Sequence, residues 1–391
     1  MQALAKKNFF YSTPQKKYLT NSKRIHPRLL RTFNPVRRAN QSPVSEDLRS
    51  WREAEERIET STGLSSIRTF FASSNPESAD WDIFHHGFPG TSLEFYRLPS
   101  LLSKDRNVLL IDGPGHLNSE APRGRWPFGF RHTIGDYAQH IHEILQAKGL
   151  NSPSVNAHFS GHSVGALILM YYTLMVTHRG DNTPSMKTLN LMAPLGQLVR
   201  PYKRGIDTHR WGFNELGAMI SRWTTRTFNG GEKDVGDSYD LAFGKGWKEN
   251  MYLTEYFREN KKFWLRPDGK KLTQNAADLV TGTSRSEFFI LQSGQKYPYY
   301  VLRKLGIVPR GIRRVILMDI MGSLFRRTGA HFNVVIPKRD EVYFPHAQRG
   351  FAEDLERRLQ VPVTVTKIDS VHGHPIDNPR ETVKAIGYKA A

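Results

Sequence analysis

A serine between two glycines, in Gly161-His162-Ser163-Val164-Gly165, has the spacing that many serine nucleophiles use. A serine on a sharp turn from a strand to a helix adopts a strained backbone, and flanking glycines without Cβ let neighbouring chains approach. The N-terminus of the following helix directs backbone N–H groups towards the negative charge that develops during acyl transfer. The pattern therefore predicts a nucleophile at Ser163.

Four other segments carry residue types that this chemistry uses. They are His85-His86-Gly87-Phe88-Pro89-Gly90, Asp112-Gly113-Pro114-Gly115-His116, Val334-Val335-Ile336-Pro337-Lys338-Arg339-Asp340 and Asp369-Ser370-Val371-His372-Gly373-His374-Pro375. The third of these segments ends in an acid, and the fourth supplies two histidines. A serine, an acid and a histidine are the components of a catalytic triad.

Strand-like and helix-like segments alternate around these motifs, which predicts a parallel sheet wrapped by helices. Several strand candidates are continuous apolar runs, as expected when both faces of a strand are covered. The predicted strands are Ile67–Ala72, Asp82–His85, Asn107–Ile111, Ser154–Phe159, Thr188–Met192, Asn333–Ile336 and Val363–Ile368. The charged segment Glu46–Thr60 is predicted to be helical, as is Val164–His178, whose apolar run Ala166–Val176 is predicted to be buried.

Residues 197–330 interrupt this alternation, with helical patches at Asn214–Trp223 and Ser284–Gln292. A structureless loop of that length is uncommon in a compact domain, so we expect a mostly helical cap over the sheet. The predicted organisation is a basic leader, the first part of the core, the cap and the second part of the core, at residues 1–45, 46–196, 197–330 and 331–391.

In order and spacing, the motifs resemble the α/β-hydrolase superfamily over about residues 65–195 and 331–391. The resemblance implies an α/β fold with a mainly parallel sheet flanked by helices, here carrying a large helical cap insertion. It also implies that Ser163 is the nucleophile and Asp340 the acid, with Glu341 as the alternative acid. The backbone N–H groups of Phe88 and Val164 would form the oxyanion hole.

Two histidines compete for the role of the base. His372 lies seven residues before Pro379, a spacing that resembles the one the family uses ahead of its final helix. His374 follows Gly373, the neighbour most familiar in the family. We favour His372 as the base and keep His374 as the alternative.

The implied activity is that of a serine hydrolase acting on a carboxylic ester, a thioester or a lipid, with a small-molecule or lipid acyl substrate. We expect no cofactor and no metal. The His-Gly-Phe-Pro loop at 86–89 also resembles that of epoxide hydrolases, but those enzymes carry an aspartate nucleophile, and Ser163 argues against that branch. The absence of cysteine excludes thiol nucleophiles, disulfides and zinc–thiolate sites.

The positive charge of the chain is concentrated in two segments. Residues 1–45 hold ten Lys/Arg and no acid, and residues 197–330 hold 24 basic and 13 acidic residues. The remaining residues hold 22 basic and 24 acidic residues, so the predicted core is close to neutral. The acid-free basic leader is typical of a mitochondrial transit peptide and predicts location in the mitochondrial matrix. The alternative is a solvated basic tail, or an arm that binds RNA or anionic lipid. No apolar run is long enough to predict a transmembrane segment.

The basic cap suggests an anionic partner, either a membrane surface or an RNA or protein assembly. Its aromatic residues include Trp211, Trp223, Trp247, Tyr252 and Trp264. They suit a lipid-facing surface or stacking on bases, or they are the cap's own small core. The basic segments leave open a structural subunit of a mitochondrial (ribonucleo)protein assembly that kept the fold. The motifs also leave open an acyltransferase that uses the same triad.

Overall fold

Eight strands form one sheet in the computed structural model of the chain. The structure describes residues 52–60, 63–73, 77–87, 90–98, 101–102, 106–113, 116, 119, 134–194, 236, 239–240, 242–265, 302, 305–307 and 314–387. The strands are β1 (Arg52–Thr60), β2 (Gly63–Ser73), β3 (Asp80–His85), β4 (Asn107–Ile111), β5 (Asn156–His162), β6 (Ser185–Met192), β7 (His331–Pro337) and β8 (Val363–Ile368).

The strands lie in the order β1-β2-β4-β3-β5-β6-β7-β8. The six strands from β4 to β8 in this order run parallel, whereas β2 is antiparallel to β1 and to β4. This confirms the predicted mainly parallel sheet, and each of the seven predicted strands overlaps an observed one. Because parallel strands end at the same edge, the segments that follow β3, β5, β7 and β8 are neighbours in space.

Helices make the crossovers that parallel strands require. Within the described residues the α-helices are α1 (Ile134–Ala147), α2 (Val164–Arg179), α3 (Met251–Trp264), α4 (Arg314–Arg327), α5 (Pro345–Glu353), α6 (His374–Asp377) and α7 (Pro379–Ala385). Helix α2 contacts α1, α4 and β5, and α7 contacts β7 and β8. The predicted α/β class with helices flanking the sheet is therefore confirmed.

The strand β5 and the helix α2 form a largely buried platform beneath the predicted nucleophile. Every residue of α2 from Val164 to Val176 is buried, so this helix has no solvent-facing side over its first three turns. Phe159 in β5 is also fully buried. Each buried apolar side chain of this size contributes about 1.5–3 kcal/mol to stability. The predicted helix at Val164–His178 is confirmed, and so is the predicted burial of Ala166–Val176.

The prediction of a helix at Glu46–Thr60 is wrong for its described part, because residues 52–60 form the strand β1. Each residue of β1 pairs with one of β2, from Arg52 opposite Phe71 to Thr60 opposite Gly63. Glu and Ala favour helices by only a few tenths of a kcal/mol per residue, and pairing with a neighbouring strand overrides that preference. The charged strand lies at one edge of the sheet, where charge discourages pairing with other chains.

The described part of the insert is helical, with a 3₁₀ helix at Lys245–Glu249 and the helices α3 and α4. Trp247 and Trp264 are buried, so these two aromatics belong to a core rather than to an exposed binding surface. Trp211, Trp223, the two predicted helical patches and the basic leader lie outside the described residues. No helix in the described part of the chain is long and apolar enough to cross a membrane.

Candidate active site

Ser163 stands on the sharp turn between β5 and α2. Its backbone angles are φ 54° and ψ −117°, a left-handed conformation that residues with a side chain rarely adopt. Its N–H donates a hydrogen bond to the carbonyl of Met192, at 2.8 Å, which ties the turn to the end of β6. Strain of this kind costs about 1–3 kcal/mol and persists only where the surrounding structure imposes it.

The two glycines of the motif permit this turn because other backbone segments pass very close to them. A Cβ on Gly165 would lie 2.4 Å from the carbonyl oxygen of His85, at the end of β3. A Cβ on Gly161 would lie 2.6 Å from the backbone of Gly165. No Cβ fits at such distances, so the spacing of the glycines is a steric requirement of the elbow.

His372 and Asp340 form a buried hydrogen bond at the same edge of the sheet. Asp340 follows β7 and His372 follows β8, and His372 Nδ1 lies 2.8 Å from Asp340 Oδ2. The carboxylate also accepts from Val342 N and Tyr343 N, both at 2.9 Å, and from Gln348 Nε2 at 2.7 Å. With Nδ1–H donated to the carboxylate, the other ring nitrogen, Nε2, keeps a lone pair that can accept a proton. Glu341, the alternative acid, is exposed.

His374 has a different environment from His372. It begins helix α6, is completely buried, and bonds through Nδ1 to Thr382 Oγ1 at 2.8 Å. Burial is the main cause that lowers its pKa well below the usual value, and His162 and His372 lower it further. His374 therefore stays neutral and contacts Thr382, whereas His372 contacts the acid.

The predicted oxyanion donors are described in part. The N–H of Val164 is the first in α2, so the helix provides it with no acceptor. Phe88 lies outside the described residues. Its neighbour Gly87 lies against Ser163, since a Cβ on Gly87 would be 2.9 Å from the Cβ of Ser163. The end of the His-Gly loop thus lies beside the elbow.

Asp112 and Gly113, which follow β4, bond to the residues that follow β3. Gly113 N–H donates to His86 Nε2 at 2.9 Å, and Asp112 Oδ1 accepts from Ser92 N–H at 2.7 Å. Both groups are buried. Asp112 and Gly113 therefore contact the backbone and a side chain of the residues that follow β3.

Tyr343 is a site residue that the sequence motifs did not reveal. Its ring packs edge-on against the His372 ring, with centroids 5.4 Å apart. Burial first, and then the charge of Asp340, raise the pKa of Tyr343 well above its usual value, and an interaction of its hydroxyl with Ser163 opposes part of that rise. The hydroxyl faces Ser163 without the geometry of a full hydrogen bond. The phenol thus stays protonated beside the serine.

Glu94 and His162 are two further buried polar residues at the site. His162 precedes Ser163 directly, and its Nδ1 lies 3.1 Å from Glu94 Oε1. The only sequence signal for Glu94 is an acid between the apolar residues Leu93 and Phe95. Among the described residues, no cluster of histidine, aspartate and glutamate side chains could hold a metal ion.

Comparisons with known proteins agree with this architecture. A family model described as alpha/beta hydrolase fold matches residues 83–206, which include the elbow and the loop that follows β3. No curated protein matches the chain.

Solved structures of several hydrolases share the fold over most of their length. A 2-hydroxy-6-oxo-6-phenylhexa-2,4-dienoate hydrolase from Rhodococcus sp. strain RHA1 is 12% identical, with a TM-score of 0.54 over 85% of this chain and 97% of the other. The naproxen esterase (carboxylesterase NP) of Bacillus subtilis is 14% identical, with a TM-score of 0.52 over 87% of this chain and 93% of the other. A thermophilic esterase of Thermogutta terrifontis is 13% identical, with a TM-score of 0.52 over 86% of this chain and 96% of the other. The resemblance found in the sequence is confirmed at the level of the fold, and this chain is an α/β-hydrolase-fold protein.

Proposed function

We propose that this protein is a serine hydrolase that cleaves a carboxylic ester, a thioester or a lipid acyl bond. The observation that carries the proposal is the buried 2.8 Å bond between His372 and Asp340, at the same sheet edge as the strained Ser163. Tyr343 links the two parts, because its ring packs on His372 and its hydroxyl faces the serine.

In the proposed reaction, His372 Nε2 takes the proton of Ser163 while the oxygen attacks the acyl carbon. Asp340 fixes the ring orientation and stabilises the imidazolium that forms. The negative charge on the former carbonyl oxygen is stabilised by the N–H of Val164 and, from the family resemblance, by that of Phe88. The bond to the leaving group then breaks, and that group takes the proton from Nε2.

Water completes the cycle. The acyl group is now bonded to the Ser163 oxygen, and His372 Nε2 takes a proton from a water molecule that attacks the same carbon. A second tetrahedral species collapses, the carboxylic acid leaves, and Nε2 returns the proton to the serine oxygen. An acyltransferase would run the same steps with an alcohol or amine in place of water.

Labelling with a fluorophosphonate tests the proposal directly. The serine oxygen attacks phosphorus and expels fluoride, so a stable phosphonyl-serine reports an activated nucleophile. We expect labelling of the full chain and of Ser154→Ala, whose serine is exposed near the other end of β5, but none of Ser163→Ala. Folded wild-type protein that takes no label would instead favour a structural subunit that kept the fold. Equal labelling of Ser163→Ala would also contradict the assignment.

A further inference from the structure

A buried histidine next to the nucleophile has an acceptor on each of its ring nitrogens. His162 Nδ1 lies 3.1 Å from the carboxylate of Glu94, and His162 Nε2 lies 2.8 Å from the main-chain carbonyl oxygen of His372. A carbonyl oxygen can only accept, so Nε2 carries a hydrogen. The Nδ1 side then shares a second proton with the carboxylate. The exposed fractions are only 5% for His162 and 7% for Glu94, so water does not screen the pair.

Charge on this pair is favoured by its surroundings. Burial alone would lower the pKa of His162, but the charge and hydrogen bond of Glu94 outweigh it, aided by the His372 carbonyl and the charge of Asp340. The net effect is a raised pKa, so the imidazolium form persists to higher pH than in an ordinary histidine. The neighbouring His86 and His374 have lowered pKa values, and the charge of His162 is among the causes.

The carboxylate of Glu94 also holds the loop that precedes the predicted oxyanion donor. Glu94 Oε1 accepts a hydrogen bond from the N–H of Gly87 at 2.9 Å. Gly87 in turn lies against the Ser163 side chain. One oxygen atom therefore bonds both to the residue before Phe88 and to the residue before Ser163.

The opposite side of the His162 ring reaches the base. The carbonyl that it contacts belongs to His372, the residue whose own ring is bonded to Asp340. The two imidazole rings lie 4.8 Å apart between centroids. The pair thus connects three segments that must keep a fixed geometry during acyl transfer: the loop after β3, the elbow after β5 and the loop after β8.

The insert contributes to the enclosure of Glu94. A Cβ on Gly90 would lie 2.5 Å from Glu94 Oε2 and 3.2 Å from the Tyr256 hydroxyl, so Tyr256 of α3 and Glu94 meet at this glycine. Tyr239 interacts with Tyr256, and its hydroxyl accepts from Asn260 Nδ2 at 2.8 Å. Burial is the main cause that raises the pKa of both tyrosines. They are neutral at physiological pH, so they add no charge that would compete with His162.

We propose that the protonated Glu94–His162 pair is a positioning device that holds the oxyanion loop, the nucleophile and the catalytic base in register. The proposal rests on the proposed function, since it concerns the same site. When the pair loses its proton, His162 keeps one ring hydrogen and can donate to only one of its two acceptors. Either the bond to Glu94 or the bond to the His372 carbonyl is then lost. Activity should therefore decline as the pH rises through the raised pKa of His162.

The substitution Glu94→Gln separates charge from shape. A glutamine has nearly the same volume, but Gly87 N–H and His162 Nδ1 both contact the single atom Glu94 Oε1. An amide oxygen at that position can accept from Gly87 but lacks the negative charge that favours the second proton of His162. An amide nitrogen there can donate to a neutral His162 but loses the bond from Gly87. The matched control is Glu143→Gln on α1, because Glu143 is also buried, at 7% exposed, and lies 3.7 Å from another histidine, His140. Both variants remove one carboxylate that faces an imidazole, but only the first does so at the site.

Two measurements test the pair. The first is the ¹⁵N NMR signal of the His162 ring, assigned with His162→Gln and followed from pH 6 to 10. We expect the His162 ring of wild type and of Glu143→Gln to keep both hydrogens to a higher pH than an ordinary histidine, and the ring of Glu94→Gln to lose its second hydrogen at a lower pH than wild type. The second is the rate constant of fluorophosphonate labelling at Ser163, which should fall about 10- to 100-fold in Glu94→Gln and remain unchanged in Glu143→Gln.

The outcomes distinguish this inference from the proposed function. If His162 in wild type loses its second proton at no higher pH than an ordinary histidine, the inference is overturned even when Ser163 is labelled normally. Normal labelling of a folded Glu94→Gln also overturns it. An absence of labelling in wild type contradicts the proposed function instead, while the NMR titration still decides whether the pair is charged. If Glu94→Gln fails to fold, the titration of the wild-type protein decides whether the pair is charged. The pH dependence of the wild-type labelling rate then decides whether the pair positions the site: a decline at alkaline pH supports the inference, and its absence overturns it.

Discussion

Phe243 of the insert lies directly on Gly373, the residue between the two histidines of the β8 loop. A Cβ on Gly373 would be 1.8 Å from Phe243 Cε1, and the N–H of Gly373 donates to the carbonyl of Ala242 at 3.0 Å. The insert therefore contacts the loop that carries the proposed base, His372, through both its backbone and a ring. A displacement of this part of the insert would be transmitted to His372.

The first prediction is that Gly373→Ala lowers both stability and activity. The added methyl cannot coexist with the Phe243 ring, and overpacking of this kind costs about 1–3 kcal/mol. The control is Gly246→Ala in the insert, where a Cβ would meet nothing within 4 Å. Urea denaturation and ester turnover of both variants check the expectation. The double variant with Phe243→Ala should recover part of the stability, and strictly additive losses would show that the two residues do not interact.

The second prediction separates the two candidate bases. We expect His372→Ala to reduce kcat/KM by about 10³- to 10⁴-fold or more, because the proton acceptor for Ser163 is lost. His374→Ala removes a buried hydrogen bond to Thr382, so it should lower the free energy of unfolding by about 1–3 kcal/mol and leave a reactive serine. Turnover and chemical denaturation of the two variants decide between them. Loss of activity in His374→Ala alone would move the base by two residues.

The third prediction concerns the tyrosine that faces the nucleophile. Tyr343→Phe removes only the hydroxyl, while the ring can still pack on His372. The phenol remains protonated because of its raised pKa, so it can donate to negative charge that develops beside Ser163. Loss of one such donor lowers kcat by about 10²- to 10³-fold. We expect that fall in kcat with little change in KM, and an unchanged kcat would remove Tyr343 from the mechanism.

These residues also show what the sequence can predict. The elbow at Ser163 is local: one strand, one turn and one helix lie within about twenty residues, so pattern alone located it. Asp340 and His372 were predicted from the family resemblance, and the structure brings their side chains within 2.8 Å because residues that follow parallel strands meet at one edge of the sheet. Glu94 and Tyr343 carry no local signature. Their roles depend on contacts with His162 and Ser163, which are distant in sequence, and only the folded chain brings them together.

The same limit explains the error at the edge of the sheet. Residues 52–60 contain three glutamates and an alanine before Ile58, a composition that favours a helix. The ladder with β2 depends on a partner strand, and a single segment does not reveal its partner. The choice between His372 and His374 was open for a similar reason, since both lie in one loop and only their contacts differ.

The fourth prediction concerns the charge of the insert, which we propose binds an anionic partner. Residues 197–330 hold 24 basic and 13 acidic residues. Binding to phosphate-bearing vesicles or to RNA should then weaken with salt, with a slope that counts the cations engaged. Lys245→Glu with Lys248→Glu, two exposed positions before α3, should weaken binding. Lys187→Glu with Lys338→Glu, at two exposed positions outside the insert, should weaken this binding less. Equal effects would indicate non-specific attraction to the whole molecule.

The final prediction is that acid destabilises the fold below pH 6.5. Burial lowers the pKa of His85 to about 4 and that of His140 to about 3, against 6.5 in an unfolded chain. Below pH 6.5 the unfolded state therefore binds more protons at these two histidines than the folded state does. The stabilisation of the fold that comes from keeping these histidines neutral is fully present above pH 6.5 and is lost as the pH falls towards 4. His162 works in the opposite direction, because its raised pKa makes its contribution disappear on the alkaline side.

The expected slope is about 1.4 kcal/mol per pH unit for each neutral buried histidine. Urea denaturation of the full chain at half-unit steps from pH 7.5 to 4.5 measures it. His140→Gln should reduce the slope by about 1.4 kcal/mol per pH unit, the value for one histidine, because glutamine does not titrate. Gln146→Ala, at an exposed position of the same helix, should leave the slope unchanged. A free energy of unfolding that stays constant between pH 6.5 and 4.5 would mean that His85 and His140 are protonated in the folded chain, contrary to their burial.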